Sequence, residues 1–205
     1  MKKIFIDLWI KEINEEIIYF LDKLGFIGVA VEDLSTRYKK INNLVIVKKA
    51  VISAEKRSEL RKHLRGIKNK TVIVSVKPLS IEAARMAAHD GRVDTIIIDK
   101  DSLYYIDKAQ INMMKQFSKP LEIPLNDFLK ANRKYQSMIY RRINLALQRN
   151  IPLIISSHAT KTSELLNPVG ATYLSKILFD INIKQALIYL TSFPREIIVA
   201  NGVKI

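Results

Sequence analysis

Short runs of Val, Ile, Leu and Phe recur along this chain, and a segment of helical periodicity follows most of them. The runs lie at 3–9, 27–32, 44–53, 71–76, 94–99, 120–125 and 152–157, with a weaker eighth, "ALIYL", at 186–190. Helical spacing occupies the stretches near 11–24, 54–66, 80–89, 107–118, 126–150 and 169–181. The apolar runs are nearly continuous rather than alternating, which is what parallel strands covered on both faces require. Alternating β and α units of this kind close into a doubly wound sheet or a (β/α)₈ barrel. Eight strand candidates favour the barrel. The expectation is an α/β protein with a TIM-like (β/α) barrel, one domain over residues 1–205. The weakest join is 33–43, "DLSTRYKKINN", a polar basic loop where a crossover helix belongs. No Pro-rich or Ser-rich linker marks a domain boundary.

The stretch "HDGRVDTIIID" (89–99) gathers His89, Asp90, Asp94 and Asp99, all ligand types for a divalent cation. Its local grammar says otherwise. "SIEAARMAAHDG" reads as a helix with Ser80 as N-cap, Glu82 in its first turn and Gly91 just past its end. Ala83, Ala84, Ala87 and Ala88 let that helix sit close on a sheet. "DTIIID" is then a strand with Asp94 at its start and Asp99 at its finish, about 16 Å apart at the rise of extended chain. Chemistry in such barrels gathers at the C-terminal ends of the strands. Asp99 and Asp101 fall on that side, His89 and Asp90 on the other.

The other strand ends offer little more. The chain has three histidines, and His158 alone is well placed, whereas a metal phosphoesterase needs several converging with carboxylates. "SSH" (156–158) suggests a Ser–His nucleophile, but neighbouring strand residues point to opposite faces. A turn leaving the strand is the simpler reading. Cysteine is absent, which removes disulfides, thiolate zinc sites and cysteine nucleophiles. No phosphate-binding glycine loop is present. No catalytic residue and no metal ligand is therefore expected in this chain, although a magnesium site of carboxylates alone stays open.

Charge is the loudest compositional signal: 34 Lys and Arg against 20 Asp and Glu leave a net +14. Such an excess indicates a polyanionic partner, above all nucleic acid. A lysine-rich thermophile surface would bring matching acidic residues, and these are missing. The longest apolar runs are too short to cross a bilayer, and Asp7, Lys11 and Glu12 interrupt any signal-peptide core, so a cytoplasmic protein with no membrane partner is expected.

The cations are patterned. In "AEKRSELRKHLRGIK" (54–68), Leu60, Leu64 and Ile67 form one helical stripe, and Arg57, Arg61, Arg65 and Lys68 form another on a different flank. Successive guanidinium groups stand about 6 Å apart along the axis, near the phosphate spacing of a single strand. In 129–150, Ile139, Ile143 and Leu147 face inward, while Lys134, Arg141, Arg142 and Arg149 remain for solvent or a partner. Tyr135 and Tyr140 interleave with these bases as stacking platforms for unpaired nucleotides, or tuck beneath a solvated face. "RYKK" adds Arg37, Lys39 and Lys40.

At "RRINLALQRNIPLIISSHATKTSELLNPVGATYLSKIL" the chain resembles the ribonuclease P protein component 3 family, the thirty-kilodalton subunit shared by archaea and eukaryotes. The shared features are a basic helix, the strand "LIISS" (153–157), a polar loop ending in "NP" (167–168), and the run "IKQALIYLTSFPREII" (183–198). "FIDL", "VSVKP" (74–78) and "GRVDTIIID" fit the same pattern upstream. The resemblance implies an incomplete or modified (β/α) barrel related to metal phosphoesterases. Those relatives carry His-x-His at the end of the first strand, where this chain has Ile6-Asp7-Leu8. It also implies a subunit of the endoribonuclease that removes 5′ leaders from precursor tRNA. The partners would be ribonuclease P RNA, precursor tRNA and further protein subunits, with magnesium used by the catalytic RNA and no cofactor bound by this chain. The chain departs from the family where many members have a base before the proline of the "NP" loop (here Leu166 and Asn167). It departs again where many have lysine before the alanine of the eighth strand (here Gln185, with Lys184 one step earlier, an RNA-binding candidate). The alternatives are a stand-alone metal-dependent phosphoesterase or nuclease barrel and a metabolic barrel enzyme for small phosphorylated ligands.

Overall fold

In the computed structural model, residues 5–67 and 72–205 are described. The chain order is β1 (Phe5–Ile10), α1 (Glu15–Lys23), β2 (Phe26–Val31), β3 (Tyr38–Ile41), β4 (Leu44–Ala54), α2 (Arg57–Gly66) and β5 (Ile73–Pro78). It continues through α3 (Ile81–His89), β6 (Thr95–Ile97), α4 (Lys108–Gln116), β7 (Leu121–Pro124), α5 (Leu125–Lys130), α6 (Arg133–Gln148) and β8 (Leu153–Ser156). Three helices follow: α7 (Pro168–Phe179), α8 (Ile183–Tyr189) and α9 (Ser192–Ala200). The chain forms two compact units, one of Met1–Lys49, Lys70–Ile73 and Ile154–Ile205, the other of Ala50–Asn69 and Val74–Leu153. Their boundaries fall inside β4, β5 and β8.

In the first unit β1 pairs β2 and β2 pairs β4, both in parallel, and β3 lies antiparallel on β4. All six residues of β1 are buried, the signature of a strand covered on both faces. Ile6 and Leu8 pack with Ala30, Val45, Val47 and Ile154, and Ile198 and Val203 close over them. A side chain at Gly28 would meet the terminal methyl of Ile205, which would have to move aside.

In the second unit β5, β6 and β7 form a parallel ladder. Among its helices α3 packs against α2 and α4, and α4 against α6. The four alanines of α3 are fully buried, and the helix packs chiefly on α2 and α4 rather than close on the sheet. Ser80 caps that helix by accepting from the Ala83 N–H at 3.0 Å. Inside the sheet Glu122 is fully buried and accepts from Ser75 Oγ at 2.9 Å and Thr95 Oγ1 at 2.5 Å.

Three sequence expectations need correction. Residues 33–43 are more than a loop: β3 and β4 form a hairpin turning at Asn42, whose φ of +53° is tolerated by asparagine. The stretch 126–150 is two helices rather than one, because Asn132 caps α6 by accepting from the Tyr135 N–H at 3.0 Å. The eighth strand at 186–190 is helix α8. A short apolar run carries no period of its own, and here a capping box decides it: Asn182 accepts from the Gln185 N–H at 2.9 Å while Gln185 accepts from the Asn182 N–H at 3.2 Å. The two departures from the family pattern both serve as helix starts, since Asn167 likewise caps α7 by accepting from Val169 and Gly170.

Candidate functional site

The four residues of the 89–99 stretch have separate partners. His89 is exposed at the end of α3, its ring 4.8 Å from that of Phe117. Asp90 pairs with Arg92 at 2.6 Å, and the hydrogen bonds from that guanidinium hold its carboxyl below the ordinary carboxylate value. Asp94 accepts from the Val74 N–H at 2.7 Å. Asp99, at the end of β6, accepts from the N–H groups of Asp101 and Ser102, and its other oxygen lies 2.6 Å from Lys77 Nζ. Lys77 also reaches Asp101 at 2.7 Å. The Asp99 carboxylate thus orders its own loop. Among the described residues no three His, Asp or Glu side chains are arranged to hold a metal ion.

At the ends of β1 and β2 the first unit builds a cluster that the sequence did not announce. Lys49 is 1% exposed, donates to the Leu8 carbonyl at 2.7 Å and stands 4.9 Å over the Trp9 ring. The Trp9 Nε1–H donates to Glu32 at 2.6 Å, and the His158 ring lies tilted by 32° against the indole, 4.0 Å between centroids. Asp7 Oδ1 accepts from the N–H groups of Trp9 and Ser157, both at 3.0 Å. Ser157 donates its hydroxyl to the Trp9 carbonyl, so it is not presented to His158 as a nucleophile would be. The hints in the sequence are His158 at a strand end and a lysine in the middle of an apolar strand.

The basic candidates divide by environment. Arg57, Arg61 and Arg65 are exposed along one flank of α2, and none of them makes a hydrogen bond or ion pair among the described residues. Leu60 and Leu64 on the neighbouring flank are fully buried, as the two-stripe pattern predicts. Lys68 lies outside the described residues. Along α6 Lys134 and Arg141 are exposed, Arg142 is half-buried, and Arg149 forms the C-cap, also half-buried. The half-burial of Arg142 fits its helical phase beside Met138 and Leu145. Tyr135 and Tyr140 are half-buried, so the tucked reading describes them better than open platforms. The α2 and α6 cations do not merge into one face, because α3 and α4 stand between their helices. In the first unit Lys39 is half-buried and Lys40 exposed on β3, and Lys184 is exposed in the first turn of α8. Arg37 is tied down by donating to the Asn201 carbonyl at 2.8 Å.

A chain of alternating strands and helices whose strands pair in parallel belongs to the α/β class, of the TIM-like (β/α) type. The chain belongs to the RNase P subunit p30 family, whose pattern matches residues 4–205. It is 26% identical over 187 residues to ribonuclease P protein component 3 of Aeropyrum pernix, covering 84% of this chain and 87% of that protein. In fold it resembles a chain of an archaeal ribonuclease P solved by cryo-EM with mature tRNA, with a TM-score of 0.79 at 17% identity, covering 98% of this chain and 97% of that one. A prolidase solved with N-methylphosphonate-L-proline has a similar fold, with a TM-score of 0.69 at 11% identity over 98% of this chain and 75% of its own. No helix among the described residues is long and apolar enough to cross a membrane.

Proposed function

We propose that this chain is a non-catalytic protein subunit of a cytoplasmic ribonuclease P, the endonuclease that removes the 5′ leader of precursor tRNA. The RNA subunit carries the hydrolysis with magnesium, and this chain neutralises phosphates, supports the RNA fold and binds other protein subunits. The observation that carries this reading is the family match across residues 4–205 together with the three unpaired arginines of α2. The RNA-facing residues in this reading are Arg57, Arg61, Arg65, Lys134, Arg141, Lys40 and Lys184, with Arg37, Lys39, Arg142 and Arg149 in supporting positions. The same reading takes residues 1–205 as one barrel domain, since a family match of that extent spans both compact units and their boundaries interrupt strands rather than linkers. Reconstitution tests it: leader cleavage by the RNA with the other protein subunits should rise when this chain is added. Magnesium- or manganese-dependent cleavage by the isolated chain would instead favour a nuclease acting alone.

Two further outcomes are expected. Asp99→Ala and His158→Ala should leave reconstituted cleavage within a few-fold of wild type, because Asp99 serves its own loop and His158 the indole of Trp9. A loss of activity with unchanged folding in either variant would place chemistry in this chain. Val169, Tyr173 and Ile177 lie on one face of α7, the last two 55% and 76% exposed. Tyr189, further along, is only 7% exposed and takes no part in that surface. Tyr173→Arg with Ile177→Arg should weaken association with the other protein subunits in size-exclusion chromatography without lowering the melting temperature.

A further inference from the structure

A groove of ≈ 600 Å³ opens between α2 and α3 in the second unit, lined by Arg57 and Arg61 on one wall and Glu82, Arg85, Met86 and His89 on the other. Its charges are unequally satisfied. Arg85 is held by both oxygens of Asp107 and by Gln110, all at 2.8 Å, and Arg92 at the groove's end is held by Asp90. Arg57, Arg61 and Glu82 have no hydrogen-bond or ion-pair partner among the described residues. Two unspent cations and one unspent carboxylate therefore line one groove, together with Met86, which is 9% exposed. A ligand complementary to that lining carries an anion for the arginines, a flat apolar surface for Met86 and a hydrogen-bond donor for Glu82. An unpaired nucleotide with an amino-bearing base has this form.

We propose that the groove receives one unpaired nucleotide of a bound RNA, phosphate on Arg57 and Arg61, base on Met86, exocyclic amine donated to Glu82. The inference rests on the reading of this chain as an RNA-binding subunit and adds to it a single-strand subsite with a base preference. The volume lies in the range of pockets that take one small ligand. Methionine is soft enough to follow the face of any base. The His89 ring, set edge to face on Phe117, offers a second surface for stacking. The Glu82 carboxylate accepts from the amine of cytosine and repels the carbonyl that uracil has at the same place.

The test is fluorescence anisotropy of labelled ten-nucleotide oligo-C and oligo-U RNAs with the full chain. Oligo-C should bind about tenfold tighter than oligo-U, as one charge-assisted base contact allows. Glu82→Ala should bring the two affinities together without weakening oligo-U. Arg57→Ala with Arg61→Ala should weaken both and lower the magnitude of the log–log salt slope by about 1.4. Glu82 is exposed and alanine is the strongest helix former, so its variant should fold, and the wild-type comparison needs no variant at all. Equal wild-type affinities, or a preference that survives Glu82→Ala, would overturn the subsite. If structured RNA still binds with steep salt dependence in that case, the subunit reading stands alone. If neither oligonucleotide nor structured RNA binds, both fall.

Discussion

Reversing the flank of α2, Arg57→Glu with Arg61→Glu and Arg65→Glu, is expected to reduce affinity for structured RNA at least tenfold and to flatten its salt dependence. Each phosphate contact contributes about 0.7 to 0.9 to the magnitude of the log–log slope, so three lost contacts lower it by about 2.1 to 2.7. Unrelated structured RNAs should weaken about equally, because phosphate contacts carry little sequence information. The three side chains are exposed and unpaired among the described residues, so their reversal removes no bond that the fold uses. Leu60 and Leu64, which dock the helix, are untouched. Circular dichroism of the triple variant should therefore match wild type. A folded variant with unchanged affinity and slope would remove this helix from the RNA face.

Asp7→Ala is expected to have the largest effect on stability, about 3 kcal/mol, because it leaves the buried N–H groups of Trp9 and Ser157 without an acceptor. Asp7→Asn keeps an acceptor oxygen in place and should cost less. The pH dependence separates the two roles of the carboxylate. Burial pushes the Asp7 carboxyl above its ordinary value of 3.8, against the hydrogen bonds from Ser157 and Trp9 and the charge of Lys49. A carboxyl raised in the folded state contributes stability that is complete below pH 3.8 and is lost as pH rises through the folded value. The asparagine variant has no such loss, so its stability deficit relative to wild type should shrink as pH rises through that window. Urea denaturation at a series of pH values measures it. A deficit that grows with pH would show that Asp7 is held ionised by Lys49.

Where the sequence carried a period, it could be read. Leu60 and Leu64 are buried and Arg57, Arg61 and Arg65 exposed because a helix separates two stripes offset around its axis. The alanines of α3 declared a buried face for the same reason. "ALIYL" carried no such period, and the feature that made it helical, Asn182 with Gln185, lies upstream of the apolar run. The hairpin at Asn42 was hidden because β3 exposes Tyr38 and Lys40 and so lacks an apolar signature. The Trp9–Lys49–Glu32–His158 cluster joins residues from four distant segments, and local spacing holds no record of such a meeting. The groove between α2 and α3 was half legible. Its arginines stood out as a stripe, whereas the pairing that satisfies Arg85 and leaves Glu82 unspent depends on Asp107 and Gln110, more than twenty residues away.

Affinity capture of the tagged chain from its own cells, followed by sequencing of the retained RNA, addresses the central claim most directly. Membership of a ribonuclease P complex predicts strong enrichment of one structured RNA that cleaves precursor tRNA at the 5′ leader junction in magnesium. It also predicts that the α2 charge-reversal variant retains less of that RNA. Recovery of the chain with no enriched RNA, at an ionic strength where its basic faces remain effective, would contradict the account.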